Sequence, residues 1–203
     1  MSREINKYNI IADVAGRYNE LMKLVEIMPT CDKIILVGDL VDRGPDSKKV
    51  VEWAMTTPNV ITLKGNHEDM MIAAHNPMCR FDDEDHLNNG GEVTLKSYGV
   101  TKPTEYPKEH IEWMINLPLF FKDEGLFVSH APWIGPLEDN GWGKEYLWNR
   151  LKPNEVEGVY QIFGHNSRVR QYGNYAMCID NCGDKELMGL TWPDKKVFAV
   201  KYE

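Results

Sequence analysis

Asn9-Ile10-Ile11-Ala12-Asp13, Ile34-Ile35-Leu36-Val37-Gly38-Asp39 and Val60-Ile61-Thr62-Leu63-Lys64-Gly65-Asn66-His67 share one plan. Each is a short aliphatic run, rich in β-branched residues, that stops at a polar residue. Such runs read as buried strands. Between the first two, Tyr18 to Met28 carries Leu21, Met22, Leu24, Val25 and Met28 at helical spacing. Between the second and third, Ser47 to Met55 reads as a helix, with Ser47 suited to its start and Thr57-Pro58 to its end. Strand, helix, strand, helix, strand in succession predicts a right-handed, at least partly parallel α/β sheet.

Farther along the chain the pattern changes. The polar stretch Asn76 to Gly91, which contains Asp82-Asp83-Glu84-Asp85, reads as a solvated excursion. It lacks the alternating ligands of a calcium loop. His110 to Leu117 has helical spacing. Strand-like segments then dominate: Phe120-Phe121, Leu126 to Val128, Gln161 to Phe163, Tyr175 to Met177, Met188 to Leu190 and Val197 to Val200. Turn formers such as Asn181-Cys182-Gly183-Asp184 and Pro193-Asp194 separate them. There is no internal repeat and no Pro/Gly/Ser linker. Residues 1–203 therefore read as one α+β domain with two packed sheets.

Composition narrows the function. The 203 residues carry 23 Lys and Arg against 31 Asp and Glu, a formal net charge of −8. That balance offers no general attraction to nucleic acid or to an anionic membrane, so any phosphate chemistry needs a local positive site. No apolar run approaches a membrane span, and the polar start from Met1 to Tyr8 lacks the apolar stretch of a signal peptide. Cys31, Cys79, Cys178 and Cys182 form no Cys-x-x-Cys pair, which predicts free thiols and a cytoplasmic setting.

The chemistry collects where strands end. Asp13, Asp39, Asn66-His67, Ser129-His130 and Gly164-His165 each follow an apolar run. Open α/β sheets bind ligands at the carboxyl ends of their strands, where successive loops converge. Carboxylate, amide and imidazole delivered to one edge form a ligand set for a divalent metal. Each residue alone has a plainer reading, since an Asp after a strand is a common turn former and a lone His a common structural residue. The glycines beside Asp39, Asn66 and His165 shift the weight, because they permit close approach of the backbone. His75, His86 and His110 lack such neighbours and read as non-catalytic.

Gly38-Asp39-Leu40-Val41-Asp42-Arg43-Gly44, followed by Gly65-Asn66-His67-Glu68, resembles the paired motifs of metal-dependent phosphoprotein phosphatases within the calcineurin-like metallophosphoesterases. His130, Trp148-Asn149-Arg150 and Gly164-His165 agree in order, and Asn89-Gly90-Gly91 is similar to the bacterial and bacteriophage branch. The resemblance implies a four-layer α/β/β/α sandwich of two mixed sheets.

It also implies two divalent ions, Mn2+ foremost with Fe, Zn or Ni as options. Asp39 would bridge them, Asp13 would complete the first site, and Asn66, His130 and His165 the second. Two ions about 3.5–4 Å apart generate hydroxide that attacks phosphorus directly. His67 would then be the general acid, Asp42 its orienting partner, and Arg43 and Arg150 the phosphate clamp. One position departs from the motif Asp-x-His-Gly: the chain reads Asp13-Val14-Ala15-Gly16. The methyl of Ala15 coordinates nothing, so the first site is expected to be weak.

The leading expectation is a metal-dependent phosphatase acting on a phosphorylated protein or a small phosphoester. The alternatives are a nucleotide-directed hydrolase resembling symmetrical diadenosine tetraphosphatases, and a catalytically weakened or dead scaffold, a binding module that keeps the fold after Ala15 removes a metal ligand.

Overall fold

The computed structural model describes residues 6–76, 78, 82–135 and 145–203. The three N-terminal apolar runs are strands β1 (Tyr8–Ile11), β2 (Lys33–Leu36) and β3 (Val60–Thr62), with helices α1 (Tyr18–Ile27) and α2 (Ser47–Thr56) between them. β1 and β2 are parallel with Ile10 opposite Ile35, and β2 and β3 are parallel with Ile35 opposite Ile61. All four residues of β1 are buried. A strand covered on both faces has no solvent side, which is why its sequence is continuous rather than alternating. Thr57, just ahead of Pro58, is extended, and α2 stops there because the proline ring disfavours helical backbone in the residue before it.

The chain then forms α3 (Asn66–His75), α4 (Asp82–His86), α5 (Glu92–Tyr98) and α6 (Lys108–Ile115). Next come β4 (Phe120–Asp123), β5 (Leu126–Ser129), α7 (Glu145–Trp148), β6 (Tyr160–Phe163), β7 (Arg170–Tyr172), β8 (Ala176–Cys178), β9 (Glu186–Trp192) and β10 (Val197–Lys201). One sheet has the order β10-β9-β1-β2-β3 and the other β4-β5-β6-β8-β7. Both are mixed. β9 runs antiparallel to β1 and β10 to β9, while β5, β6 and β8 are parallel and β4 and β7 antiparallel at the edges.

Period-two alternation explains the layers. Ile10, Ile35 and Val37 pack with Val128, Ile162 and Leu190 between the two sheets. Ile11 and Leu36, one step along, face the other way and pack with Leu21 and Leu24 of α1, Val50 and Val51 of α2, and Ile111 and Met114 of α6. Each such fully buried aliphatic side chain contributes roughly 1.5–3 kcal/mol. On the far side of the second sheet, Phe127 packs with Trp133 and with Tyr146 of α7. The fold is the expected α+β sandwich, and its fourth layer is thin among the described residues.

One local expectation is corrected, and two elements escaped the sequence patterns. The stretch from Asn76 to Gly91 is no simple solvated excursion: residues 82–86 are helical, and His86 and Gly91 are buried. Glu84 and Asp85 do face solvent, so charge there masked a helix that sends one imidazole inward. α3 had no readable stripe because it is buried on several sides, at Asn66, His67, Glu68, Met70, Met71 and Ala74. β7 is a polar edge strand, which apolar runs cannot reveal. Among the described residues no helix is long and apolar enough to cross a membrane. Cys31, Cys178 and Cys182 are free thiols. Cys79 and residues 1–5 lie outside the described residues.

Candidate active site

The loops after β1 and β2 are tied to each other by backbone alone, and a side chain joins the loop after β3 to them. The amides of Ala15 and Gly16 donate to the carbonyls of Asp39 and Leu40, at 2.7 and 2.8 Å. Glu68, on the first turn of α3, accepts from the amides of Gly65, Leu40 and Asp39, at 2.8, 2.8 and 2.9 Å. One buried carboxylate thus pins two of the three loops. Burial, with the charge of Asp39, pushes that carboxyl up to about 7.

Strain collects here as well. Ala15, Asp39, Asp42, Arg43 and His165 all have positive φ, at 48°, 51°, 72°, 63° and 65°. Left-handed backbone costs a non-glycine residue of order 1–3 kcal/mol and persists where the surroundings over-determine it, commonly at functional sites. The glycines serve close approach as expected. A Cβ at Gly164 would stand 2.0 Å from Oδ1 of Asp13, and one at Gly65 would stand 2.2 Å from Oδ1 of Asp39.

The second sheet closes the site. His130, after β5, donates from Nδ1 to the carbonyl of Val37 at 2.9 Å. The amide of His165, after β6, donates to Asp13 at 3.0 Å. Asp39, His130 and His165 offer ligand atoms that all lie within 4.8 Å of one another, and all three are buried. Asn66 joins them, its Oδ1 2.9 Å from Nε2 of His130. These are the four residues expected around the second ion.

This group fits a cation on chemical grounds. With Nδ1 donating to Val37, neutral His130 turns a lone pair on Nε2 toward Asn66 Oδ1 and, at 3.4 Å, Asp39 Oδ1. Burial keeps the imidazole neutral by lowering its pKa. Acceptors facing acceptors need a cation between them. Nε2 of His165 is buried with no hydrogen-bond partner, and burial, with His130 and Arg150 nearby, takes its pKa down to about 3. Both rings have the neutral form that metal ligation requires.

The first-site residues form a sparser set. Asp13 is buried, and burial together with the charges of Asp180 and Asp39 holds its carboxyl well above the usual carboxylate range. A positive ion beside it would relieve that cost. Ala15 brings only a methyl group.

The structure brings His67 and Asp42 together. Nδ1 of His67 donates to Oδ2 of Asp42 at 2.6 Å. Burial alone would lower the imidazole's pKa, but Asp39 and Asp42 outweigh it and the net shift is upward. Asp42 itself goes down to about 2, because the hydrogen bond from His67 and the nearby His86 imidazole overcome burial. Nη2 of Arg43 lies 2.8 Å from Nε2 of His67. Arg150 sits at the rim, donating from Nη1 to the carbonyl of His165 at 2.9 Å.

Sequence reading missed several supports. Thr94 of α5 donates to Oδ1 of Asp42 at 2.6 Å and accepts from the Asp42 amide at 2.9 Å. His86 of α4 stands 3.5 Å from Oδ2 of Asp42 and 2.9 Å from the hydroxyl of Tyr106. His86, expected to be non-catalytic, stands between Asp42 and Tyr106. Asp180 accepts from the amides of Cys182 and Ser167, at 2.9 and 2.5 Å, joining two loops beside Asp13. Thr94→Val should lower stability by about 1–3 kcal/mol, since it leaves a buried carboxylate oxygen short of a donor. Urea unfolding checks this, and an unchanged midpoint would mean that the Asp42 carboxylate does not depend on the Thr94 hydroxyl.

Known proteins resemble this chain in sequence and in fold. A bis(5'-nucleosyl)-tetraphosphatase, symmetrical, from Methylobacillus flagellatus is 30% identical over 170 residues, covering 81% of this chain and 55% of the relative. A protein of the same name from Erwinia tasmaniensis is 33% identical over 128 residues, covering 60% of this chain and 43% of its own length. The chain thus spans about half the length of the curated relatives it matches. Among solved structures, a metallophosphoesterase from Sphaerobacter thermophilus superposes with a TM-score of 0.64 at 18% identity, covering 98% of this chain and 90% of that one. A cold-active protein-tyrosine phosphatase of a psychrophilic Shewanella gives 0.62 at 15% identity, with 97% and 78% covered. At such identities these structures share the fold. The family model of the calcineurin-like phosphoesterases matches residues 7–168, a span that takes in every residue brought to this edge from Asp13 to His165, and the chain belongs to that family.

Proposed function

We propose that the chain is a metal-dependent hydrolase of nucleoside polyphosphates that cuts a symmetrical dinucleoside tetraphosphate at its centre. The observation that carries the substrate is the match, over 81% of this chain, to a protein named for that activity. The sequence reading had put a phosphoprotein first. The curated relatives favour its nucleotide-directed alternative.

Asp39, Asn66, His130 and His165 would hold one divalent ion, and Asp13 with Asp39 a second. Oxygen ligands with a few imidazoles make manganese the first choice. Such ions, when bound, acidify water and neutralise phosphoryl oxygens. The chain's own groups supply the remaining steps. Arg43 and Arg150 would grip nonbridging oxygens through forked, charge-assisted hydrogen bonds. His67 would give its Nε2 proton to the departing oxygen, with Asp42 holding Nδ1–H and keeping the ring oriented. The Arg43 contact at Nε2 and a proton on Nε2 exclude each other, since both are donors. A phosphoryl group that draws Arg43 to itself therefore frees Nε2 to carry that proton.

The test is product analysis with manganese present. Diadenosine tetraphosphate should yield two molecules of ADP, at a kcat/KM above that for a phosphoserine peptide. AMP plus ATP as products, or preference for the peptide, would overturn the reading.

A further inference from the structure

Beside the metal edge lies a pocket of about 570 Å³ lined by Ala15, Arg17, Arg43, Cys182, Lys185 and Tyr202, with Ser167, Gly183 and Glu203 completing its wall. Arg43 belongs to both the pocket and the acid pair, so the two spaces share a side. In a chain of net charge −8, this pocket gathers two guanidinium groups and an ammonium. Among its lining residues the one side-chain carboxylate, Glu203, is paired with Lys23, while Asp180 and Asp13 stand near Tyr202 and Cys182.

Two of its polar atoms have nothing to bind. Nε of Arg17 and the hydroxyl of Tyr202 are both buried without a hydrogen-bond partner. The guanidinium carbon of Arg17 lies 4.4 Å from the centre of the Tyr202 ring, a cation–π seat that fixes both groups. Burial pushes the Tyr202 phenol up, so it stays a donor. Cys182, pushed up to about 11 by burial, stays a neutral thiol. Unsatisfied buried donors are costly, and an anionic oxygen that reached them, with a small shift of the two side chains, would relieve that cost.

The wall is preorganised. Asp180 accepts from the amides of both Ser167 and Cys182. The Gly183 amide donates to the Ser167 carbonyl at 3.0 Å, and the Tyr202 amide to the Lys185 carbonyl at 2.8 Å. Ala15 keeps the mouth open on the metal side, where an imidazole would otherwise stand.

We propose that this pocket is a phosphate subsite: Arg17, Lys185 and Tyr202 bind the phosphoryl group next to the one being cleaved, so the site selects a phosphoanhydride chain over a simple monoester. This inference rests on the nucleoside polyphosphate reading and assigns the residues that would enforce it. Arg17 offers a fork to an anionic oxygen, Tyr202 a single O–H and Lys185 a mobile charge.

The experiment uses inorganic tripolyphosphate as an inhibitor of nitrophenyl phosphate hydrolysis, with free manganese held constant, in the parent, Arg17→Ala, Lys185→Asn and the double variant. Asn is chosen because Lys185 has a φ of 58°, a conformation Asn tolerates. The inhibition constant of tripolyphosphate should rise roughly 10- to 100-fold in the double variant, the worth of a lost charge-assisted hydrogen bond or two. Inhibition by orthophosphate and turnover of nitrophenyl phosphate should hold. The KM for diadenosine tetraphosphate should rise in step.

Unchanged tripolyphosphate inhibition, or a parallel loss of nitrophenyl phosphate turnover, would overturn the subsite. If Arg17→Ala does not fold, Arg17→Lys keeps the charge without the fork and should give an intermediate inhibition constant. A parent that ignores diadenosine tetraphosphate, with tripolyphosphate inhibition still weakened in the variants, would retire the nucleotide reading and keep the subsite. A parent that cuts diadenosine tetraphosphate, with an unchanged KM in the double variant, would do the reverse.

Discussion

His67→Ala should lower the rate on poor leaving groups by roughly 10²–10⁴, the usual worth of a positioned acid, and should leave metal content nearly unchanged. The ring of His67 is held by Asp42 at Nδ1, and its Nε2 lies 2.8 Å from Arg43 and 3.8 Å from Oδ2 of Asp39. It is not among the grouped ligand atoms of Asp39, His130 and His165, so its removal deletes a proton donor and no proposed ligand. Nitrophenolate departs without a proton, and its ester should suffer much less than an alkyl ester. An equal loss for every leaving group would remove His67 from the acid role.

The pH profile supplies a second readout. The net shift of His67 is upward, so the imidazolium survives above its ordinary value of 6.5. The alkaline limb of kcat should accordingly lie above that pH. Asp42→Asn removes one of the charges that hold the proton on, and the limb should move toward lower pH. A limb that stays put would mean that another group sets it.

Ala15→His should let the enzyme reach half its full rate with manganese reduced roughly 100-fold or more, since a direct ligand is worth more than the 10–100-fold of an outer partner. The residues proposed for the first site are Asp13 and Asp39, and the Asp13 carboxyl is held high by burial and by the charges of Asp180 and Asp39. An added imidazole supplies a neutral donor without altering that charge. The backbone can accept it, because φ at Ala15 is 48° and His is among the residues that tolerate the left-handed region.

The gain should vanish at high manganese, where mass action fills a weak site. Calorimetric titration of manganese into both forms gives the affinity directly, with the second site unchanged. Superimposable curves would mean that a further residue already completes the first site. Because the imidazole would enter the space beside Arg17 and Tyr202, the same variant should also weaken tripolyphosphate inhibition.

Much of the site could be read locally. Asp13, Asp39 and the Asn66-His67 pair each follow a buried strand, and buried parallel strands have an unmistakable composition. The glycines next to them announced close approach, and the contacts at Gly65 and Gly164 bear that out. Asp42 beside His67 was legible only through the resemblance of the motif, and the structure brings them to 2.6 Å.

What holds these residues was not legible, for a physical reason. Pattern windows report what a segment buries, and say nothing of what it buries it against. Thr94 lies 52 positions from Asp42, His130 lies 93 from Val37, and His165 lies 152 from Asp13. His86 sits in an acidic run whose surface charge outweighed its one buried ring. Arg17, Lys185 and Tyr202 come from three separate segments with no shared motif, so no spacing could announce their pocket. Sequence alone determined the strands, the residues at their ends and the chemistry those residues can support. The packing of one sheet on the other decided which of them meet, because hydrogen bonds and buried charge depend on distances in space that no local periodicity encodes.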